Sequence, residues 1–168
     1  MITYRDATIE DAPAIDALFR QGFIDTFGPL YDPKDLAAFF AGFTRETWRR
    51  ELADSDFAFH LAEEDGALAG YAKISSVSLP VEPSGPAVEL RQLYVLKQWH
   101  GSGVARALMD WVFAKARGRG AEELYLSVFT ENHRAKSFYA RHGFEGVGPN
   151  IFMVGNHADE DILMRAKL

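Results

Sequence analysis

Residues Val88–Ala105 read VELRQLYVLKQWHGSGVA, and they predict a β-strand, a glycine-containing turn and the start of an α-helix. The segment Val88–Val95 is rich in the β-branched and aromatic residues that favour strands. Further along, apolar residues follow the spacing of one helix face, at Val104, Ala107, Leu108, Trp111 and Val112. The connection between the strand and the helix contains Gly101 and Gly103.

The turn from Gly101 to Arg106 is expected to bind an anion. The first N–H groups of a helix have no partner within it, and the helix dipole places partial positive charge at this end. Glycines allow the backbone to approach a bulky phosphate, because a Cβ atom would block it. Ser102 can cap the helix or donate to the anion. An ordinary strand–turn–helix, in which the glycines serve only the turn, is the alternative interpretation.

The glycine spacing excludes the two common phosphate-binding loops. The chain contains no GxxxxGK(S/T) sequence, and a GxGxxG motif would need a third glycine where Arg106 stands. A nucleotide-binding domain for NAD or ATP is therefore disfavoured.

Length and composition limit the class of protein. The 168 residues predict a single domain spanning 1–168, and the 48% of hydrophobic residues can form a sizeable core. No apolar run approaches the roughly 20 residues of a membrane helix, and the N-terminus lacks the features of a signal peptide. We therefore expect a cytoplasmic protein without a membrane partner. The lack of cysteine excludes disulfides and a thiol nucleophile, and no set of His, Asp and Glu residues has metal-ligand spacing, so no metal is predicted.

The net charge of −6 argues against a general nucleic-acid partner, and this charge is unevenly distributed. Residues 1–65 contain 14 acidic and 6 basic side chains, whereas residues 97–119 contain five basic side chains and one acidic side chain. A basic helix start suits a polyanionic ligand, and an acidic N-terminal part can attract a cationic one. We expect Asp25, Asp32 and Asp35 to take part in this attraction. The alternative is that these acids are solvated or cap helices.

Periodicity, helix caps and chain breakers predict a mixed α/β fold in the order β-αα-βββ-α-β-α-ββ. Thr8, Asp32 and Thr44 have the sequence context of helix N-caps, and Asn132 is expected to cap a short helix over His133–Arg141. The predicted strands are Ile2–Asp6, Phe57–Ala62, Leu68–Ser78, Val88–Val95, Leu124–Thr130, one that starts at Phe144, and Asp161–Leu168.

Two motifs resemble those of the GNAT superfamily of N-acyltransferases. The first is His100-x-x-Gly103-x-Ala105, which is similar to the acyl-CoA pyrophosphate loop (Gln/Arg)-x-x-Gly-x-(Gly/Ala), with histidine at the position of Gln or Arg. The second runs from Asn132 to Phe144 and resembles the pattern N-x-x-A-x-x-x-Y-x-x-x-G-F. The resemblance implies the GNAT fold, a central mixed β-sheet with helices on both faces. It also implies transfer of an acetyl group from acetyl-CoA to an amine by direct attack.

The resemblance further implies roles for individual residues. The central strand and the next strand would splay apart, and the exposed backbone of the first would pair with the pantetheine arm of acetyl-CoA at Leu93, Tyr94 and Val95. The pyrophosphate would be held by the turn and helix start, at His100, Gly101, Ser102, Gly103, Val104, Ala105 and Arg106. Asn132 would hydrogen-bond the pantetheine arm or serve as a plain N-cap. Tyr139 would protonate the thiolate leaving group, and its alternative role is that of a packed aromatic residue.

Glu89, on the central strand, is the candidate general base. An amine with a pKa near ~10.4 is protonated at neutral pH and must lose a proton before it attacks a thioester. A carboxylate can accept that proton directly or through water. The alternative is that Glu89 forms a salt bridge or faces solvent.

The acceptor is indicated by a more specific resemblance. Phe152-Met-Val-Gly155 and Asp161-Ile-Leu-Met164 resemble the tail of PaiA-type polyamine N-acetyltransferases, and the segments DTFGPLYDPKDL and ELRQLYVLKQWHGSGVARALMDW are similar to the same group. The implied acceptor is a small cationic amine such as spermidine. A protein N-terminus or lysine as acceptor, and a non-catalytic acyl-CoA-binding module, are the alternatives. GNAT proteins often dimerise, so the resemblance leaves a homodimer as an open alternative.

Overall fold

The computed structural model describes residues 1–168 and contains seven strands and five α-helices. The strands are β1 (Thr3–Asp6), β2 (Ala58–Glu64), β3 (Ala67–Ser76), β4 (Ala87–Val95), β5 (Glu123–Phe129), β6 (Glu145–Val154) and β7 (His157–Lys167). The helices are α1 (Ala12–Phe27), α2 (Pro33–Ala41), α3 (Arg45–Ala53), α4 (Val104–Gly118) and α5 (His133–Arg141). The mixed α/β fold class is confirmed, and so is the predicted order of elements except that three helices, not two, lie between β1 and β2. None of the helices is both long enough and apolar enough to cross a lipid bilayer.

All seven strands form one sheet in the order β1-β2-β3-β4-β5-β7-β6. Neighbouring strands are antiparallel except for β4 and β5, which run parallel. These two strands pair only at their first residues, Ala87–Glu89 with Glu123–Tyr125. Beyond that point β4 remains paired with β3, and β5 remains paired with β7. A gap therefore opens in the middle of the sheet.

Helices cover both faces of the sheet, and each face has its own apolar core. On one face, α4 buries Val104, Leu108, Met109 and Val112 against strand residues such as Ile74 and Leu126, and α5 packs at its margin. On the other face, α1, α2 and α3 contribute the aromatic residues Phe19, Phe23, Phe40 and Trp48, which pack with Phe59 and Tyr71. Because side chains alternate along a strand, Leu93 of β4 packs against the first core and Tyr94 against the second, while β5 contributes Leu124, Leu126 and Val128 to the first core. The gap connects the two faces.

The predicted N-cap residues mark the observed helix starts, except at α4. Asp32 accepts a hydrogen bond from the backbone N–H of Lys34, and Thr44 accepts one from that of Thr47, as expected for N-caps. Thr8 precedes a short 3₁₀ turn, Ile9–Asp11, that leads into α1. The expected cap of α4 by Ser102 is corrected by the structure, because Gly103 occupies the N-cap position and the Ser102 hydroxyl donates to the carbonyl of Trp99.

Candidate active site

The gap between β4 and β5 opens into a cavity of about 790 Å³ that extends to both faces of the sheet. Nearly all of the site residues predicted from sequence line it: Glu89, Leu93, Tyr94, Val95, His100, Gly101, Gly103, Ala105, Arg106, Asn132 and Tyr139. The exceptions are Ser102, which bonds back to Trp99, and Val104, whose side chain is buried in the core beneath α4. The fold thus brings together residues from two motifs that are some 30 positions apart.

The turn before α4 presents unpaired backbone donors to this cavity. The first intrahelical bond of α4 runs from Ala107 N to Gly103 O at 3.0 Å, and the N–H groups of Gly103 to Arg106 donate to no backbone acceptor. Gly103 has φ of +89°, a left-handed conformation that glycine adopts without strain. A polyanion is the ligand that this combination of free N–H groups and helix dipole suits.

His100 turns towards the end of β4 instead of standing beside the turn. Its Nε2 lies 2.9 Å from the carbonyl oxygen of Val95, and its Nδ1 contacts the guanidinium of Arg134. A carbonyl can only accept and a guanidinium can only donate, so the arrangement selects a neutral ring with the proton on Nε2. Arg134 was missed by the sequence analysis, although it lies in the first turn of the helix that Asn132 caps. Arg134 adds a positive charge beside the turn that precedes α4.

The backbone of β4 faces the gap at alternate residues. Leu96 N–H donates to Ala69 O in β3 at 2.9 Å, so the ladder directs the backbone of Tyr94 towards β3 and that of Leu93 and Val95 into the gap. The side chain of Tyr94 still lines the cavity. Since the Val95 carbonyl already accepts from His100, the free backbone groups of this edge lie mainly at Leu93 and the Val95 N–H.

Helix α5 supplies an amide and a phenol from the other side of the gap. Asn132 Oδ1 accepts from the N–H of Ala135 at 3.2 Å, which confirms its predicted role as N-cap and leaves its amide nitrogen uncommitted. Tyr139 packs edge-on against Phe138 and Phe144, with ring centroids 5.6 and 5.7 Å away. Burial raises the pKa of Tyr139 to about 12. The phenol is therefore protonated at neutral pH and can donate a proton.

Glu89 lies on the opposite face of the sheet from α4, at the point where β4 and β5 part. Its side chain is only 5% exposed, and Oε1 accepts from the N–H and hydroxyl of Ser78 at 2.8 and 2.9 Å. Its Oε2 lies 3.3 Å from Nε of Arg91. These contacts hold the carboxylate in place within the cavity wall, and each oxygen retains acceptor capacity.

Three further acids in the cavity wall were not identified from sequence: Glu51, which pairs with Lys73, and two on β7. Asp159 and Asp161 on β7 are buried and face the α1–α2 side, where Asp159 accepts from the Tyr31 hydroxyl and Asp161 accepts from Ser127 Oγ at 2.8 Å. The sequence contained one signal for this pair: residues two positions apart on a strand lie on the same face of the sheet, so the two carboxylates could be expected together. Burial raises the pKa of Asp161, an effect that the Ser127 hydrogen bond opposes.

Three acids were expected from the sequence to attract a cationic ligand, and all three lie outside the cavity. Asp25 accepts from Gln21, Asp32 caps α2, and Asp35 accepts from the N–H of Asn156 at 2.9 Å. Their carboxylates have local structural partners because each is close to a helix end or an adjacent turn. The structure also holds no group of three or more His, Cys, Asp and Glu side chains arranged to bind a metal ion.

Comparison with known proteins agrees with this architecture. Residues 17–144 match the sequence model of the Acetyltransferase (GNAT) family. Uncharacterized N-acetyltransferases of Mycobacterium tuberculosis (strain ATCC 25618 / H37Rv) and Lactobacillus delbrueckii subsp. lactis are similar along most of their length. The first is 33% identical over 94% of this chain and 98% of its own, and the second is 29% identical over 95% and 93%. The fold is shared with the PaiA N-acetyltransferase of Thermoplasma acidophilum in complex with coenzyme A, with a TM-score of 0.81, 20% identity, and coverage of 100% of this chain and 99% of the other.

The gapped sheet and the open helix start define a protein of the acyl-CoA-dependent transferase class. The chain belongs to the Acetyltransferase (GNAT) family. Its activity is acetyl-CoA-dependent transfer of an acetyl group to an amine.

Proposed function

We propose that this protein acetylates a small cationic amine of the polyamine type. The observation that carries the proposal is the distribution of charge in the cavity. The α4 side presents unpaired N–H groups and the basic side chains of Arg106 and Arg134. The other side has an excess of negative charge, because four carboxylates line it against the two basic side chains of Lys73 and Arg91; the carboxylates are those of Glu51, Glu89, Asp159 and Asp161. A polyanionic donor and a polycationic acceptor can thus enter from opposite faces and meet in the gap. The resemblance of Phe152–Gly155 and Asp161–Met164 to the tail of PaiA-type polyamine N-acetyltransferases supports the same acceptor class.

The residues around the gap fit acetyl-CoA. In this proposal the N–H groups of Gly103 to Arg106 hold the pyrophosphate, and the charge of Arg134 adds to the attraction. The backbone of Leu93 and the amide of Asn132 face the space in which the pantetheine arm would lie. When bound, acetyl-CoA supplies an activated thioester carbonyl.

Two side chains are proposed to move protons. Glu89 accepts the proton of the acceptor ammonium, directly or through water, so that the neutral amine can attack. The new C–N bond then forms, the C–S bond breaks, and Tyr139 donates its proton to the departing thiolate. The nitrogen loses its second proton through water to the Tyr139 phenolate, which restores the phenol and leaves a neutral amide. A phenol with a pKa of about 12 remains protonated until this step, because the apolar ring contacts disfavour its anion. No acyl-enzyme is required, and none could form on a thiol because the chain has no cysteine.

An amine panel with acetyl-CoA tests the proposed acceptor. Thiol release would be followed with spermidine, 1,4-diaminobutane, n-butylamine and peptides with free N-termini at equal concentrations. We expect the highest kcat/KM for the polyamines. Acetylation of peptides but not of polyamines would overturn the acceptor class and leave the family activity intact. Binding of acetyl-CoA without thiol release from any amine would favour the non-catalytic alternative.

A further inference from the structure

The acids in the cavity wall differ in how completely they are paired. Glu51 bonds Lys73 Nζ at 2.8 Å, and Glu89 is held by Ser78 and Arg91. Asp159 accepts from the Tyr31 hydroxyl through Oδ2, and its Oδ1 lies 3.1 Å from His157 Nε2. Each of these carboxylates has a basic side chain beside it, and both oxygens of Glu89 and Asp159 are in use.

Asp161 is the exception among these buried acids. It is only 6% exposed. Its Oδ2 accepts a hydrogen bond from the Ser127 hydroxyl, which is the one side-chain hydrogen bond that Asp161 makes. No Lys, Arg or His forms a salt bridge with it. Its Oδ1 has no hydrogen-bond partner and is partly accessible, and Asp161 lines the cavity. A buried carboxylate without a counter-charge is costly, and a cation placed in the cavity would relieve this cost.

The strand register separates Asp161 from Glu89, the proposed general base. Asp161 pairs with Phe129, four residues beyond Tyr125, where β4 and β5 part. Four residues correspond to about 13 Å along a strand, and β7 is displaced by a further strand spacing of about 4.8 Å from the gap. A cation bound at Asp161 is therefore distinct from the amine that attacks in the gap.

The wall between these two points is aromatic. Phe129 packs edge-on against Phe27, with ring centroids 6.2 Å apart, and Phe27 packs against Phe23 at 5.0 Å. All three rings line the cavity. Such a surface suits the methylene chain that joins two ammonium groups, because its burial is favourable.

We propose that Asp161, oriented by Ser127, binds the non-reacting ammonium group of a diamine or polyamine acceptor. This inference rests on the proposed function and adds a specificity-determining residue to it. The free oxygen of Asp161 accepts from the ammonium, while the alkyl chain follows the aromatic wall towards the gap. A monoamine lacks this second contact.

The test compares Asp161→Asn with Glu160→Gln, a matched control on the same strand whose exposed side chain lies on the opposite face. Calorimetry would measure the Kd of 1,4-diaminobutane in the presence of saturating coenzyme A, with thermal melting to confirm folding. We expect Asp161→Asn to raise this Kd by at least about tenfold, as for the loss of a charge-assisted hydrogen bond, and Glu160→Gln to leave it unchanged. The kcat/KM of n-butylamine should change by less than about threefold, since no second ammonium is lost.

A second variant covers the case in which Asp161→Asn does not fold. Ser127→Ala removes the hydrogen bond that orients the carboxylate, and it should raise the Kd of the diamine by a smaller factor of about three. Unchanged diamine affinity in a folded Asp161→Asn protein would overturn the inference, as would an equal loss of butylamine turnover, which would place Asp161 at the reacting amine. Diamine binding that depends on Asp161 in a protein that acetylates no amine would contradict the proposed function and leave the inference standing.

Discussion

At the residue scale, the surroundings of single ionisable groups determine what each can do. Tyr139 is enclosed by the rings of Phe138 and Phe144, and burial raises its pKa to about 12. Glu89 is instead held by the N–H and hydroxyl of Ser78 and lies beside the guanidinium of Arg91. The two side chains line the same cavity from different surroundings, one apolar and one polar.

Replacing Tyr139 by Phe tests the proton donor. The substitution keeps the ring and its packing but removes the hydroxyl, so we expect kcat to fall by about 10²- to 10⁴-fold while the Kd of acetyl-CoA stays within about twofold. Because the pKa of about 12 keeps the phenol protonated as pH rises, loss of this proton should not reduce wild-type kcat below about pH 11. Steady-state kinetics between pH 6 and pH 10 would check both expectations. Wild-type kcat in the Tyr139→Phe variant would show that the residue only packs.

Asp11 should make the stability of the fold depend on pH. Arg5, above all, and the N–H of Thr8 hydrogen-bond this carboxylate and lower its pKa, while partial burial opposes them. A carboxyl whose pKa is lower in the folded state contributes its full stability above the unfolded value near 3.9 and loses it as pH falls through the folded value. Asp11→Asn should therefore lower the free energy of unfolding by about 1 kcal/mol at pH 7, and by less below about pH 4.

Urea unfolding at several pH values between 3 and 7 measures this difference. The control is Glu10→Gln, which changes the charge of an exposed neighbour in the same turn. A loss of stability in Asp11→Asn that is the same at pH 3 and pH 7 would contradict the assignment to the ionised carboxylate.

At the element scale, the function depends on where regular structure ends. Helix α4 begins at a glycine with positive φ and leaves its first N–H groups free, while β4 and β5 stop pairing after three residues each. Backbone N–H and C=O groups that a continued helix or sheet would pair are therefore available to a ligand. Helix α5 closes the same space from the side, because its N-cap and its Tyr139 both line the cavity.

A charge placed at the start of α4 should abolish binding of the cofactor. Gly103→Asp adds a carboxylate beside the free N–H groups, where the phosphates are proposed to lie, and should weaken acetyl-CoA binding by at least about 100-fold in calorimetry. Gly103→Asn is the matched control, because asparagine has the same size without the charge and tolerates positive φ better than most residues. Equal affinities of the folded Asp and Asn variants would exclude electrostatic repulsion at this position. Wild-type affinity in both would place the phosphates elsewhere.

At the scale of the whole molecule, the net charge of −6 should attract a polycationic acceptor over a distance. The interaction is screened over about 30 Å at 0.01 M salt but only about 10 Å at 0.1 M. The KM of spermidine should therefore rise more steeply with ionic strength than the KM of n-butylamine, as initial rates at several salt concentrations would show. If the KM values of the two amines rose equally with ionic strength, long-range electrostatic attraction of the polyamine would be excluded.

The surface acids Asp25, Asp32 and Asp35 contribute to this field without lining the cavity. Their triple replacement by Asn should raise the KM of spermidine by about two- to threefold at low salt and leave it unchanged at high salt. Thermal melting is needed alongside, because Asp32 caps α2 and Asp35 bonds the turn at Asn156. A triple variant that is folded and has wild-type KM at low salt would show that these acids take no part in steering.

The sequence by itself determined the order of elements apart from the separate helix α3, together with the glycine turn that opens into the cavity. Helix α5 was predicted with its observed bounds, His133–Arg141, and the turn at Gly103 was predicted to precede α4. Caps, glycines and apolar periodicity act over a few residues, so these signals are complete within the local sequence. Only the tertiary structure determined which acids line the opposite side of the cavity. Whether Asp161 faces the cavity depends on the pairing of β7 with β5, and a shift of one residue would turn its carboxylate to the other face of the sheet.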